Sequence, residues 1–173
     1  PQPRGPEEAR TGARAARRVA RRRLAVDLYE PPLSVVRSWS ESVAAMGIKI
    51  APGVNLDEVA SIEVEAEFVS VEGELKESVL WLGALRSARR RATVLPGGET
   101  LPLEGTAPPG EVGEVGRYVY EPDPAVIRAG LVTTLARMLG AWQHDESIAY
   151  LTADEVTATS FAQVYRIEEW LPF

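Results

Sequence analysis

Few residue types are available here to do chemistry. The chain has no cysteine and a single histidine, which excludes disulfides, thiolate metal sites, cysteine nucleophiles and multi-histidine clusters. His144 lies in the polar run Gln143-His144-Asp145-Glu146. A Ser-His-Asp relay built on it would need a nucleophile elbow, and no G-x-S-x-G occurs, so His144 reads as a surface residue. Glu63, Glu65 and Glu67 alternate with Ile62, Val64, Ala66 and Phe68. Their carboxylates resemble a metal set, but that period describes a strand with one wet, solvated face. Gly110-x-x-Gly113-x-x-Gly116 follows no strand, which weakens it as a nucleotide loop. No P-loop is present, and no metal site is expected.

Arginine offers the other chemistry, phosphate recognition. Residues 1–23 hold eight arginines against Glu7 and Glu8, a net +6, while the rest of the chain carries −12. Arg17, Arg18, Arg21, Arg22 and Arg23 form the dense end of this arm, and Arg89, Arg90 and Arg91, with Arg86, form a second group. Together with Arg128 they are the candidate nucleic-acid contacts, whose affinity would come from counterion release. A solvated arm and a solvated loop explain the same runs. Arginine outnumbers lysine 17 to 2, which fits the codon bias of a GC-rich genome as well as it fits phosphate binding.

The elements that would position these residues can be read in order. Residues 1–23 are a basic arm of irregular or disordered character. Tyr29-Glu30-Pro31-Pro32 is extended because the residue before a proline is pushed out of the helical region. A helix is predicted over Leu33–Ala45, then a buried strand at Met46–Ala51 ending in Pro52-Gly53. Glu72-Gly73 marks a hairpin between strands near 62–68 and 75–82, and Pro96-Gly97-Gly98 marks a second hairpin. Residues 105–116, rich in Gly and Pro, read as a linker. Beyond it, Arg117–Glu121 reads as a strand. Asp123 then caps a helix that Pro124 opens and Gly140 closes, with Ile127, Leu131, Leu135 and Met138 as its apolar face and Arg128 opposite. Strands follow at Ser147–Leu151 and Phe161–Trp170. The fold class is α/β over residues 24–104, then a small α+β unit over 117–173 in the order βαββ, as in part of a ferredoxin-like sandwich. No long uncharged apolar run and no leader pattern occur, so no membrane partner and a cytoplasmic setting are expected.

Several runs occur together in order: Tyr29-Glu30-Pro31-Pro32-Leu33-Ser34, Ile48-Lys49-Ile50-Ala51-Pro52-Gly53, Leu75-Lys76-Glu77-Ser78-Val79-Leu80-Trp81, Arg91-Ala92-Thr93-Val94-Leu95-Pro96, Glu121 to Gly130, Ile148-Ala149-Tyr150-Leu151-Thr152 and Trp170-Leu171-Pro172-Phe173. In them the chain resembles the bacterial class I SAM-dependent methyltransferases that carry a THUMP-like domain at the carboxyl terminus. The resemblance implies a partial Rossmann-like sheet, with Met46–Gly53 as its fifth strand and Glu67–Leu95 as its closing antiparallel strands, followed by a ferredoxin-like domain. It implies S-adenosyl-L-methionine as the family's cofactor and RNA as a partner. The loops holding Tyr29, Glu30, Pro31, Pro32, Lys49 and Pro52 would then lie on the substrate side, beyond the carboxyl ends of the strands.

The family's glycine-rich SAM loop and ribose-binding acid have no counterpart here. The chain is therefore expected to be a fragment from the middle of such an enzyme that neither catalyses nor binds SAM alone. Its partner would be the missing amino-terminal half, and an unpaired edge at Met46–Ala51 would favour self-association. The alternative is a non-enzymatic nucleic-acid or protein adaptor with a basic arm.

Overall fold

The computed structural model describes residues 32–59 and 62–169. The basic arm, Tyr29 to Pro31 and the terminal Trp170-Leu171-Pro172-Phe173 lie outside them. Helix α1 (Leu33–Ser40) leads into strand β1 (Ala45–Ile50). It stops earlier than the predicted Ala45. Ser38 and Ser40 donate their hydroxyls back to the carbonyls of Val35 and Arg37, at 2.7 Å each, and Ala45 is already paired with Gly83. A single turn, α2 (Leu56–Val59), precedes β2 (Val64–Val71) and β3 (Glu74–Gly83). These two strands form the expected hairpin: Glu72 and Gly73 both take positive φ, 53° and 77°, as the type I′ turn requires.

β4 (Arg90–Leu95) corrects the expectation of wholly antiparallel closing strands. It pairs parallel to β2, and antiparallel to β5 (Glu99–Leu103) across the second predicted hairpin. After β3 the chain passes the start of β2 through residues 84–89 and re-enters on the far side, so β4 runs with β2. The first sheet therefore has the order β1-β3-β2-β4-β5.

The second sheet has the order β7-β8-β6-β9, from β6 (Tyr118–Pro122), β7 (Trp142–Gln143), β8 (Leu151–Ala153) and β9 (Ala162–Arg166), all paired antiparallel. β7 was not anticipated, β8 begins where the predicted strand ends, and β9 is shorter than predicted. Residues 105–116 carry a short bridge to β7: Gly113 N–H donates to the Gln143 carbonyl and Gln143 N–H to that of Glu111.

The predicted single helix is two, α3 (Pro124–Ala129) and α4 (Val132–Leu139). Asp123 caps the first as expected, accepting from Ala125 N–H at 2.7 Å. Gly130 then turns left-handed at φ 67°. Its own N–H bonds the Ile127 carbonyl and that of Leu131 bonds Val126, a Schellman ending. The break swings the apolar faces apart. Leu131 and Leu135 stay fully buried, but Ile127 and Met138, expected in the core, are exposed.

α3 packs its small residues Ala125 and Ala129 inward and touches β2, β3 and β4 of the first sheet. Core residues from both sheets, among them Phe68, Leu80, Ala92, Tyr120, Leu135 and Leu151, form one cluster. No described helix is long and apolar enough to cross a membrane.

Candidate functional site

The site builds around the loop that follows β1. Ile50 and Val54 are buried and pull the chain down at both ends of Ala51-Pro52-Gly53, while Val54 N–H closes a turn on the Ala51 carbonyl at 3.1 Å. Asn55 starts α2, its side-chain oxygen accepting from Asp57 N–H at 3.2 Å. From β3, the buried Ser78 hydroxyl reaches the Ala51 carbonyl at 3.1 Å. From α3, Arg128 donates Nε–H to the Pro52 carbonyl at 3.1 Å and an Nη2 hydrogen to the Val54 carbonyl at 2.8 Å. Its guanidinium carbon stands 5.6 Å from the ring centroid of the buried Phe68.

Of the predicted substrate-side residues, Pro52 is half-buried and lends its carbonyl to Arg128. Lys49 points outward and pairs with Glu77 at 2.5 Å, an exposed contact of little energetic weight. Pro32 sits at the start of α1, its carbonyl accepting from Val35 N–H. Tyr29, Glu30 and Pro31 lie outside the described residues, as do Arg17, Arg18, Arg21, Arg22 and Arg23.

The second arginine group does not converge on one patch, because neighbours on a strand face opposite ways. Arg90 turns toward α3 and donates to the Ala129 carbonyl at 3.4 Å, where a cation meets the negative end of the helix. Arg91 turns to the other face and meets the Glu65 carboxylate at 2.8 Å. Arg86 contacts Glu63 at 3.5 Å, and Arg89 is exposed. Arg128, expected to face away from the core opposite Leu131 and Leu135, faces the first sheet instead, because α3 packs on β2, β3 and β4.

The wet glutamate face needs a second correction. Glu65 is fully buried: one carboxylate oxygen accepts from Ser87 N–H (2.7 Å), Ala88 N–H (2.9 Å) and the Ser87 hydroxyl (3.3 Å), and the other lies against Arg91. That last contact is at ion-pair distance, but its N–H is not aligned for a hydrogen bond. Glu67 accepts from Trp81 Nε1–H at 2.6 Å and from the Thr93 hydroxyl at 2.5 Å. The glutamates latch strands together. The one sequence signal for this is that Arg91 follows the acidic strand with alternation of its own.

Elsewhere the described surface carries open grooves. One of about 480 Å³ sets Arg86 and Arg89 against Glu63 and Glu104. No described group of acidic or histidine residues could hold a metal ion. His144 is exposed, its Nδ1 3.3 Å from the Gly113 carbonyl. Its neighbour Asp145 is held below the usual carboxylate range by the hydroxyl and amide of Ser147.

The spaced glycines are used for close packing: a Cβ on Gly113 would stand 2.9 Å from the Trp142 ring, and one on Gly116 would stand 2.7 Å from the Ala153 backbone. They neither follow a strand nor open a helix, so they form no nucleotide cradle.

Comparison with known proteins gives these observations a family context. No protein-family model matches the chain. Two curated proteins, from two strains of Mycobacterium tuberculosis and each described as an uncharacterized S-adenosylmethionine-dependent methyltransferase, are 35% identical to it over 148 residues. That alignment takes in 82% of this chain and 40% of each relative. A crystal structure from Porphyromonas gingivalis described as a methyltransferase superposes with a TM-score of 0.70 at 22% identity, over 88% of this chain and 42% of that one, a likeness of fold alone. The chain is thus similar to proteins described as S-adenosylmethionine-dependent methyltransferases over 82% of its own length, and spans about 40% of theirs.

Proposed function

We propose that this chain forms the part of a class I SAM-dependent methyltransferase that ends the catalytic sheet and shapes the acceptor side of the site, and that the acceptor is RNA. The cofactor-binding part lies in the portion of the relatives that this chain does not span. In this reading β1 is the last parallel strand of the methyltransferase sheet, and β3 and β2 are its closing strands. The observation that carries it is the 35% identity to two methyltransferases across 148 residues. Consistent with it, β3 runs antiparallel to both β1 and β2, and the outer edge of β1 has no partner among the described residues. Residues 117–173 then act as the ferredoxin-like unit that follows the sheet, with the arginine arm as an added RNA contact.

Calorimetry and methyl transfer test the proposal. The chain alone is expected to give no heat with SAM at micromolar concentration. Mixed with the amino-terminal portion of the M. tuberculosis relative, it is expected to support transfer of label from tritiated SAM to total RNA. Tight one-to-one SAM binding by the chain alone would overturn the division of labour. Label entering protein and not RNA would overturn the acceptor.

A further inference from the structure

We infer that Arg128 is a positioning residue: from the second half of the chain it sets the backbone of the acceptor-side loop, residues 51–55. The inference builds on the methyltransferase reading, since in an α/β sheet the ground beyond the carboxyl end of a strand is where substrate is met. Three observations carry it. First, the guanidinium engages two carbonyls two residues apart, Pro52 and Val54, with two different nitrogens. A planar fork fixes direction as well as distance, which a single ammonium cannot do. Second, Ser78 and Val54 N–H hold the carbonyl of Ala51 at the head of the turn, so the loop is fastened from β3 on one side and from α3 on the other. Third, Phe68 is fully buried and lies under the guanidinium, which gives the arginine a fixed seat. The tie is reciprocated: Arg90 of β4 reaches the carbonyl of Ala129 at the end of α3, and a side chain on Gly130 would stand 2.7 Å from its Nη1. α3 is therefore seated against the first sheet at two points, and the loop takes its shape from that seating.

Hydrogen exchange on the chain itself tests the clamp, with the Val54 amide as reporter and the amides of β2 and β3 as the measure of global stability. Arg128→Met is expected to speed exchange at Val54 roughly tenfold or more. Arg128→Lys is expected to bring β2 and β3 back to unaltered values while leaving Val54 fast. If lysine restores Val54 as well, or Val54 speeds up only in step with β2 and β3, the arginine is an ordinary structural cation and the inference fails. In the reconstituted pair described above, Arg128→Lys is expected to lower kcat/KM for RNA roughly tenfold, with KM for SAM unchanged. An unaltered kcat/KM beside a fast Val54 amide also overturns the positioning role. An unaltered pair that transfers no methyl group counts against the methyltransferase reading alone, and the exchange measurement still decides the clamp.

Discussion

Removing the Glu65 carboxylate should be among the most damaging single changes in the first sheet. Glu65→Ala orphans the buried amide of Ala88, worth about 1–3 kcal/mol when left without an acceptor, and releases the part-buried amide of Ser87, which water can reach. It also strips Arg91 of its partner. That loss is softened, because the Arg91 side chain is 26% exposed and water can reach it. Breaking a buried pair from one side costs about 3–5 kcal/mol, of which the Ala88 amide supplies about 1–3 kcal/mol. Urea unfolding followed by tryptophan fluorescence should report a drop in this range. The melting temperature should fall by roughly 6–20 °C, at about 2–4 °C per kcal/mol for a chain of this size. Glu63→Ala is the control: its side chain is 94% exposed, and the change should stay within about 0.5 kcal/mol. Combined with Arg91→Ala, Glu65→Ala should cost less than the sum of the two, with a coupling of about 0.5–3 kcal/mol. A loss below about 1 kcal/mol, or strict additivity with Arg91→Ala, would refute the latch.

Leu135→Ala, at a fully buried position, should cost about 2–5 kcal/mol in the same urea experiment, and a smaller loss would mean that the core between the sheets collapses around the gap. Gly130→Ala forces a side chain into a left-handed residue against Arg90, so calorimetric melting should show a loss of at least about 1 kcal/mol; a neutral result would mean the helices can join. Asp145 is held below the carboxylate range when folded. Its bonds to Ser147 should therefore be intact above the ordinary aspartate range and be lost as pH falls through the lowered folded value. An NMR titration of the Ser147 amide reads this directly, and a midpoint at the ordinary aspartate value would contradict it.

What the sequence made legible was local. The strand through Val64–Phe68, the Glu72-Gly73 turn and the Asp123-Pro124 cap are encoded within a few residues, and each forms where it was read. What it concealed was brought from a distance. Glu65 reads as solvated because its cover, residues 84–91, folds over it only once β4 has crossed beside β2. Arg128 reads as outward because nothing near it announces that Phe68 and Pro52 will lie on its far side. Gly130 is a different failure. The stop signal was present, but apolar spacing that continued through Leu131 and Leu135 outweighed it, although a second helix starting at Val132 satisfies the same spacing.

The Arg128 contacts carry a consequence for how the protein is made. Arg128 lies 76 residues after Pro52 along the chain. At synthesis rates of about 5–20 residues per second, β1 and its loop emerge roughly 4–15 s before the residue that shapes them. During that interval the loop carbonyls of Pro52 and Val54 face water, and the Phe68 ring has no cation above it. The acceptor-side surface is thus finished late, by a helix belonging to the half of the chain that follows it. A ribosome that stalls before residue 128 releases a sheet without a set loop, so only chains extended past α3 can present the completed surface.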